Sequence, residues 1–131
     1  MTILVAYTQT AEGHAALEHG LELSRREAQP LLIFDLEYPS GAEDQTIPDR
    51  PVPDHVELSS TDVHWLGPDH QSPDATGDLL DAAEARDVSA IVVGVRRRSR
   101  VGKFLLGSMA QQIIIGANVP VIAVKAQQED A

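Results

Sequence analysis

Apolar residues recur along this chain in two distinct periods. Short, largely apolar runs stand at Ile3 to Tyr7, Leu31 to Leu36, Val63 to Leu66, Ala90 to Val93 and Val121 to Val124. Runs of this length and β-branched content suit strands buried on both faces of a parallel sheet. Between them lie longer segments in which apolar positions return every three or four residues, the helical period. The first such helix is predicted over Ala11 to Ala28, with Thr10 as N-cap, Glu12 in the first turn and Pro30 ending it. Its inner face would carry Ala15, Leu17, Leu21 and Ala28. A second runs from an Asp74 cap to about Arg86, with Leu79, Leu80, Ala82 and Ala83 inward. A third begins at Ser108 and continues to Gly116 or Ala117. Its adjacent Ile113, Ile114 and Ile115 predict burial on both flanks, and Asn118 suits a left-handed C-cap.

The order is strand, helix, strand, loop, strand, helix, strand, helix, strand. It predicts an α/β fold: a five-stranded, mostly parallel sheet with helices on both faces. Ligands of such sheets sit beyond the C-terminal strand ends, where the strand order reverses. Here those ends are Tyr7-Thr8, Leu36, Leu66 and Gly94. The second crossover departs from the pattern. Pro39, Pro48, Pro51 and Pro53 punctuate an acidic stretch without periodicity, read as an exposed loop over residues 39–57. The crossover helix expected there is either missing or reduced to a turn near His55 to Ser59.

Composition narrows the functional classes. At 131 residues the chain suits one domain, 1–131. The absence of cysteine removes disulfides, thiolate metal sites and thiol catalysis. Thr2 leads directly into a strand-like run, and no apolar run approaches the roughly 20 residues that span a bilayer. A cytoplasmic protein is expected. The net charge of −10 argues against nucleic acid and anionic membranes as partners. Its distribution is uneven. Arg96, Arg97, Arg98, Arg100 and Lys103 are half of the ten basic residues, and no Asp or Glu occurs from Val88 to Gln128. Such a patch on an acidic body is either an anion site or a solvated turn held in salt bridges.

The segment after the fourth strand carries the candidate chemistry. It reads Gly94-Val95-Arg96-Arg97, nine further residues, then Gly107-Ser108 opening a helix. A glycine at a strand end admits close backbone approach. A Gly-Ser helix start offers free N–H groups, a hydroxyl and the positive end of the helix dipole. Arginines can add bidentate contacts to phosphate oxygens.

This arrangement resembles the universal stress protein family, whose motif at this place is Gly-x2-Gly-x9-Gly-Ser/Thr. Ile91 to Val124 resembles that family throughout, and so does the opening ILVAYTQTAEGHAALEHGLEL. The resemblance implies a Rossmann-like, adenine nucleotide alpha hydrolase-like fold and a cytoplasmic stress-response dimer paired through the last strand, Val121–Val124. It also implies an adenine nucleotide as ligand, ATP or AMP, with magnesium accompanying ATP. The site residues it implies are Thr8, Leu36, Val93, Gly94, Arg97, Gly107, Ser108 and Met109. The chain departs from the family at two of them. Arg97 occupies the second motif glycine, and Thr8 stands where nucleotide-binding members place an Asp. Two alternatives therefore stay open: the same fold as a dimeric interaction module without nucleotide, and a slow ATP hydrolase.

Other signals carry less. Gly102-Lys103 fails as a phosphate-binding P-loop, because Phe104 replaces the Ser/Thr and no glycine stands five residues earlier. No nucleophile elbow occurs, so no catalytic residue is assigned. His14, His19, His55, His64 and His70 show no metal spacing, and surface positions are expected for them. Trp65 is expected in the core or an interface.

Overall fold

A computed structural model describes residues 1–37, 62–69, 72–98 and 103–126, with the backbone alone at 97, 98 and 103–105. The elements follow in the order β1 (Thr2–Tyr7), α1 (Ala11–Glu27), β2 (Leu31–Asp35), β3 (Val63–Leu66), α2 (Ala75–Ala85), β4 (Val88–Arg98), β5 (Lys103–Leu105), α3 (Ser108–Gly116) and β6 (Val121–Lys125). Five strands form a wholly parallel sheet in the order β3-β2-β1-β4-β6. Ile3 lies opposite Leu31 on one side and Ala90 on the other, and Ile91 lies opposite Val121. The expected α/β architecture is present. The strand order turns back between β1 and β4, which is the switch point.

Side-chain alternation sorts the core into two layers. Ile3, Val5 and Tyr7 of β1, with Leu31 and Ile33 of β2, pack on the Ala16, Leu17 and Leu21 face of α1. Leu4, Ala6, Leu32 and Phe34 point the other way, against Leu79, Ala82 and Ala83 of α2 and Ala110 and Ile113 of α3. Both faces are apolar because both are covered, and this is what the continuous apolar runs signal. Trp65 belongs to the α1 layer, edge-on to Tyr7 with ring centroids 6.0 Å apart.

The helix starts follow their caps. Thr10 Oγ1 accepts from Gly13 N at 3.2 Å, and Asp74 Oδ1 accepts from Gly77 N at 2.9 Å. The ends differ from expectation. Ala28 is not on the inner face of α1; it is the exposed C-cap, held at φ 54° with its N–H directed to Arg25 and Ser24 carbonyls. The chain leaves α3 through Ala117 at φ −76°, ψ 143°, so Asn118 makes no left-handed cap. Of the three isoleucines only Ile113 is buried; Ile114 and Ile115 are 42% and 82% exposed.

The largest difference lies after Gly94. The fourth strand does not end there but runs on to Arg98. Val95 pairs with Lys125 and accepts Ala126 N–H at 2.9 Å, and Arg96–Arg98 then pair antiparallel with β5. Part of the basic segment read as a loop is therefore a ribbon. Backbone pairing does not require apolar side chains, so the hydrophobic pattern could not show it. The acidic loop 39–57, the turn near His55 to Ser59, the ribbon tip and the polar tail lie outside the described residues.

Candidate functional site

At the switch point the backbone is drawn unusually tight. The first turn of α1 wedges between the ends of β1 and β4. A Cβ on Gly13 would lie 1.8 Å from the Thr8 carbonyl oxygen, and one on Gly94 would lie 1.9 Å from the Glu12 carbonyl oxygen. No real Cβ tolerates such contacts, so both positions demand glycine on packing grounds alone. Gly94 thus seats a helix, and that seat places the Glu12 side chain at the end of the sheet.

Beside it opens a cavity of about 480 Å³, a size ordinary for a small-ligand site. One wall is Thr8, Thr10 and Glu12 from the β1–α1 turn, with Glu37 following β2. Gly94, Val95 and Arg96 of β4 form another, and Leu106, Gly107, Met109 and Ala110 at the start of α3 complete it. A smaller cavity of about 290 Å³ lies away from the switch point, beside α2 and the ends of β2 and β3.

Polar contacts order the larger cavity. Thr8 Oγ1 and Thr10 Oγ1 are 2.7 Å apart, so the cap of α1 and the strand-end hydroxyl form one small network. Glu37 Oε1 accepts from Gln9 N at 2.8 Å, tying the end of β2 to the β1–α1 turn. Arg96 Nη2 lies 3.1 Å from Glu12 Oε2 and 3.3 Å from Oε1. A cation of the basic cluster is thus already engaged by a carboxylate on the opposite wall.

The start of α3 behaves differently from Gly94. Gly107 is its N-cap, without a side-chain cap bond, at φ −65°. A Cβ there would meet nothing within 4 Å. Neither sterics nor backbone conformation asks for glycine, and the side chain that is missing leaves room facing the cavity. The two glycines thus do different work: one lets a helix approach, the other keeps helix N–H groups accessible.

The structure places the sequence-derived site residues unevenly. Thr8, Gly94, Gly107 and Met109 line the cavity. Leu36 is half-buried, its N–H bonded to Tyr7 O at 3.0 Å, and the neighbouring Glu37 takes the lining position. Val93 is fully buried in the α2–α3 layer, so its side chain faces the core. Arg97 sits on the ribbon opposite Phe104. Ser108 is exposed at the first position of α3, outside the lining. Sequence reasoning missed Glu12, Glu37 and the particular role of Arg96. Charge type was the available signal, but the pair is separated by 84 residues and only the fold joins it.

Comparison with known proteins accords with this architecture. Residues 70–125 match the model of the Universal stress protein family. A universal stress protein of Mycolicibacterium smegmatis (strain ATCC 700084 / mc(2)155) is 34% identical over 131 residues, covering 94% of this chain and 96% of its own. Among solved structures, the universal stress protein from Archaeoglobus fulgidus in complex with dAMP superposes with a TM-score of 0.59 at 20% identity, over 95% of this chain and 96% of its own. A universal stress protein in complex with cAMP gives 0.58 at 13%, over 96% and 98%. These two show a shared fold. The family follows from the mycobacterial relative, matched over 94% of this chain: the chain belongs to the universal stress protein family.

Proposed function

We propose that this protein is a cytoplasmic stress-response dimer that holds an adenine nucleotide in the switch-point cavity. The observation that carries the reading is Gly107. Its missing side chain leaves open space at a helix N-terminus on the cavity wall, although no contact among the described residues requires it. Two universal stress proteins of the same fold are complexed with dAMP and cAMP, which supports adenine nucleotides as the ligand class. The first backbone N–H groups of α3, those of Ser108 and Met109, would take the phosphate. Thr8 and Glu37 border the other end. If ATP is the form bound, its magnesium would arrive with it: among the described residues no three His, Asp or Glu are grouped to hold a metal. The role is binding rather than turnover. The acidic side chain nearest the start of α1, Glu12, is engaged by Arg96 rather than poised beside a nucleophile.

Dimerisation is proposed through β6. Among the described residues this strand pairs with β4 alone, at the end of the parallel sheet, and Val121, Ile122 and Val124 are only half-buried. Among the described residues, no helix is long and apolar enough to cross a membrane.

The test is titration calorimetry with ATP, AMP and cyclic AMP, backed by thermal shift. Heat of binding with saturable stoichiometry supports the reading. No heat and no shift at millimolar ligand would leave the second reading, an interaction module of the same fold, which the Glu12-engaged Arg96 and the Thr8 and Arg97 departures favour. Light scattering should return twice the 14.1 kDa chain mass; the mass of one chain at micromolar concentration would remove the dimer.

A further inference from the structure

We infer that Glu37 selects the sugar of the bound nucleotide, its carboxylate accepting a hydrogen bond from a ribose hydroxyl. The inference rests on the nucleotide reading above and adds a specificity-determining residue to that same site. Glu37 follows the end of β2 and lines the larger cavity. It is an exposed residue whose side chain is nonetheless held. Its Oε1 accepts from Gln9 N at 2.8 Å, and its own N–H donates to Asp35 Oδ1 at 3.0 Å. Asp35 is buried at the last position of β2, so main chain and side chain of Glu37 are both anchored. An exposed glutamate ordinarily samples many rotamers. One already held loses less freedom when a ligand binds to it.

The contact with Gln9 also carries the carboxylate sideways. Gln9 follows β1, which lies between β2 and β4 in the sheet. The carboxylate therefore stands at the end of the central strand, one strand spacing of about 5 Å from β4. Gly94 and Arg96 of β4 border the cavity on that side, and the chain returns there through β5 to Gly107. With the phosphate on the first N–H groups of α3, the middle of the ligand lies over β1, and the middle of a nucleotide is its sugar. The chemistry agrees. A carboxylate offers acceptors alone, and a ribose hydroxyl is a donor. In dinucleotide-binding parallel sheets an acidic side chain takes the ribose 2′-hydroxyl in this manner. Adenine suits the carboxylate less well. Its amino group stands beside ring nitrogens that are themselves acceptors, and side-chain amides, with donor and acceptor together, are what read it.

The experiment is calorimetry with AMP, 2′-deoxy-AMP, 3′-deoxy-AMP and IMP. It is run on the unaltered protein, on Glu37→Ala and on Glu37→Gln, which keeps an acceptor for Gln9 N–H. Circular dichroism melts establish that each variant is folded. In the unaltered protein the deoxynucleotide that lacks the hydroxyl facing Glu37 should bind on the order of tenfold more weakly than AMP. That ratio should fall close to one in Glu37→Ala. In Glu37→Gln it should fall part of the way, because a neutral acceptor binds a hydroxyl less strongly than a carboxylate does. Equal binding of AMP and both deoxynucleotides by the unaltered protein overturns the inference. So does a uniform weakening of all four ligands in Glu37→Ala, which would leave Glu37 only ordering the β1–α1 turn. A changed ratio of AMP to IMP with an unchanged deoxynucleotide ratio also overturns it, in favour of a contact to the base. These three results leave the nucleotide reading standing, whereas absence of binding by any nucleotide overturns both.

Discussion

Gly94 and Glu12 meet backbone to backbone: a Cβ on the strand residue would lie 1.9 Å from the helix residue's carbonyl oxygen. This contact joins the first and fourth strands through the start of α1. It also explains why a glycine stands at a position that reads, in sequence, as a ligand contact. The consequence for the site is indirect but strong, because the seat of the helix decides where the Glu12 carboxylate stands.

Gly94→Ala should accordingly be a stability mutant. Forcing a methyl group into a close-packed backbone contact costs about 2–3 kcal/mol. Chemical denaturation should show the loss as a lower midpoint with an unchanged slope. A midpoint equal to that of the unaltered protein would show that α1 can shift outward freely.

Gly107→Ser separates stability from binding. Serine is a good N-cap, and φ −65° suits it, so the variant should be as stable as the original or gain up to about 1 kcal/mol. Its side chain would enter the open space on the cavity wall, and nucleotide affinity should fall at least several-fold by calorimetry. Retained affinity would show that the ligand does not approach this helix start.

Ala28 is held at φ 54°, a left-handed conformation that penalises any Cβ. Ala28→Gly should stabilise the protein by on the order of 0.5–1 kcal/mol, read as a higher melting temperature. Because Ala28 is exposed, lost packing would not mask the gain.

The isoleucine run offers an internal contrast. Ile113 is completely buried between α2 and the sheet, and Ile113→Ala should cost about 2–5 kcal/mol. Ile115 is 82% exposed, and Ile115→Ala should stay within about 0.5 kcal/mol by thermal unfolding. Comparable losses at the two positions would indicate that Ile115 is covered by a second copy in solution.

Much of the fold was legible without coordinates. Apolar runs such as Ile3 to Tyr7 and Leu31 to Leu36 located strands to within a residue, because both faces of this sheet are covered and each strand must be apolar throughout. Thr10 and Asp74 marked helix starts, since a cap is a local interaction between residues three apart. The limits appeared where local chemistry was silent. The extension of β4 through Arg96–Arg98 depends on a partner strand, and its polar side chains carry no hydrophobic period. The left-handed turn fell on Ala28 rather than on Asn118, because hydrogen bonds to the preceding turn hold the alanine there against its own preference.

Sequence alone determined the α/β order, the family likeness and the Gly107-Ser108 helix start, because each is written in contiguous residues. Only the tertiary structure decided what the glycines do and where the charges stand. Gly94 is glycine for the sake of a helix 82 positions earlier in the chain, at Glu12. Arg96 is answered by that same residue, and Glu37 joins them from a third element. Side chains from three separate segments meet only because a parallel sheet brings its C-terminal ends to one side.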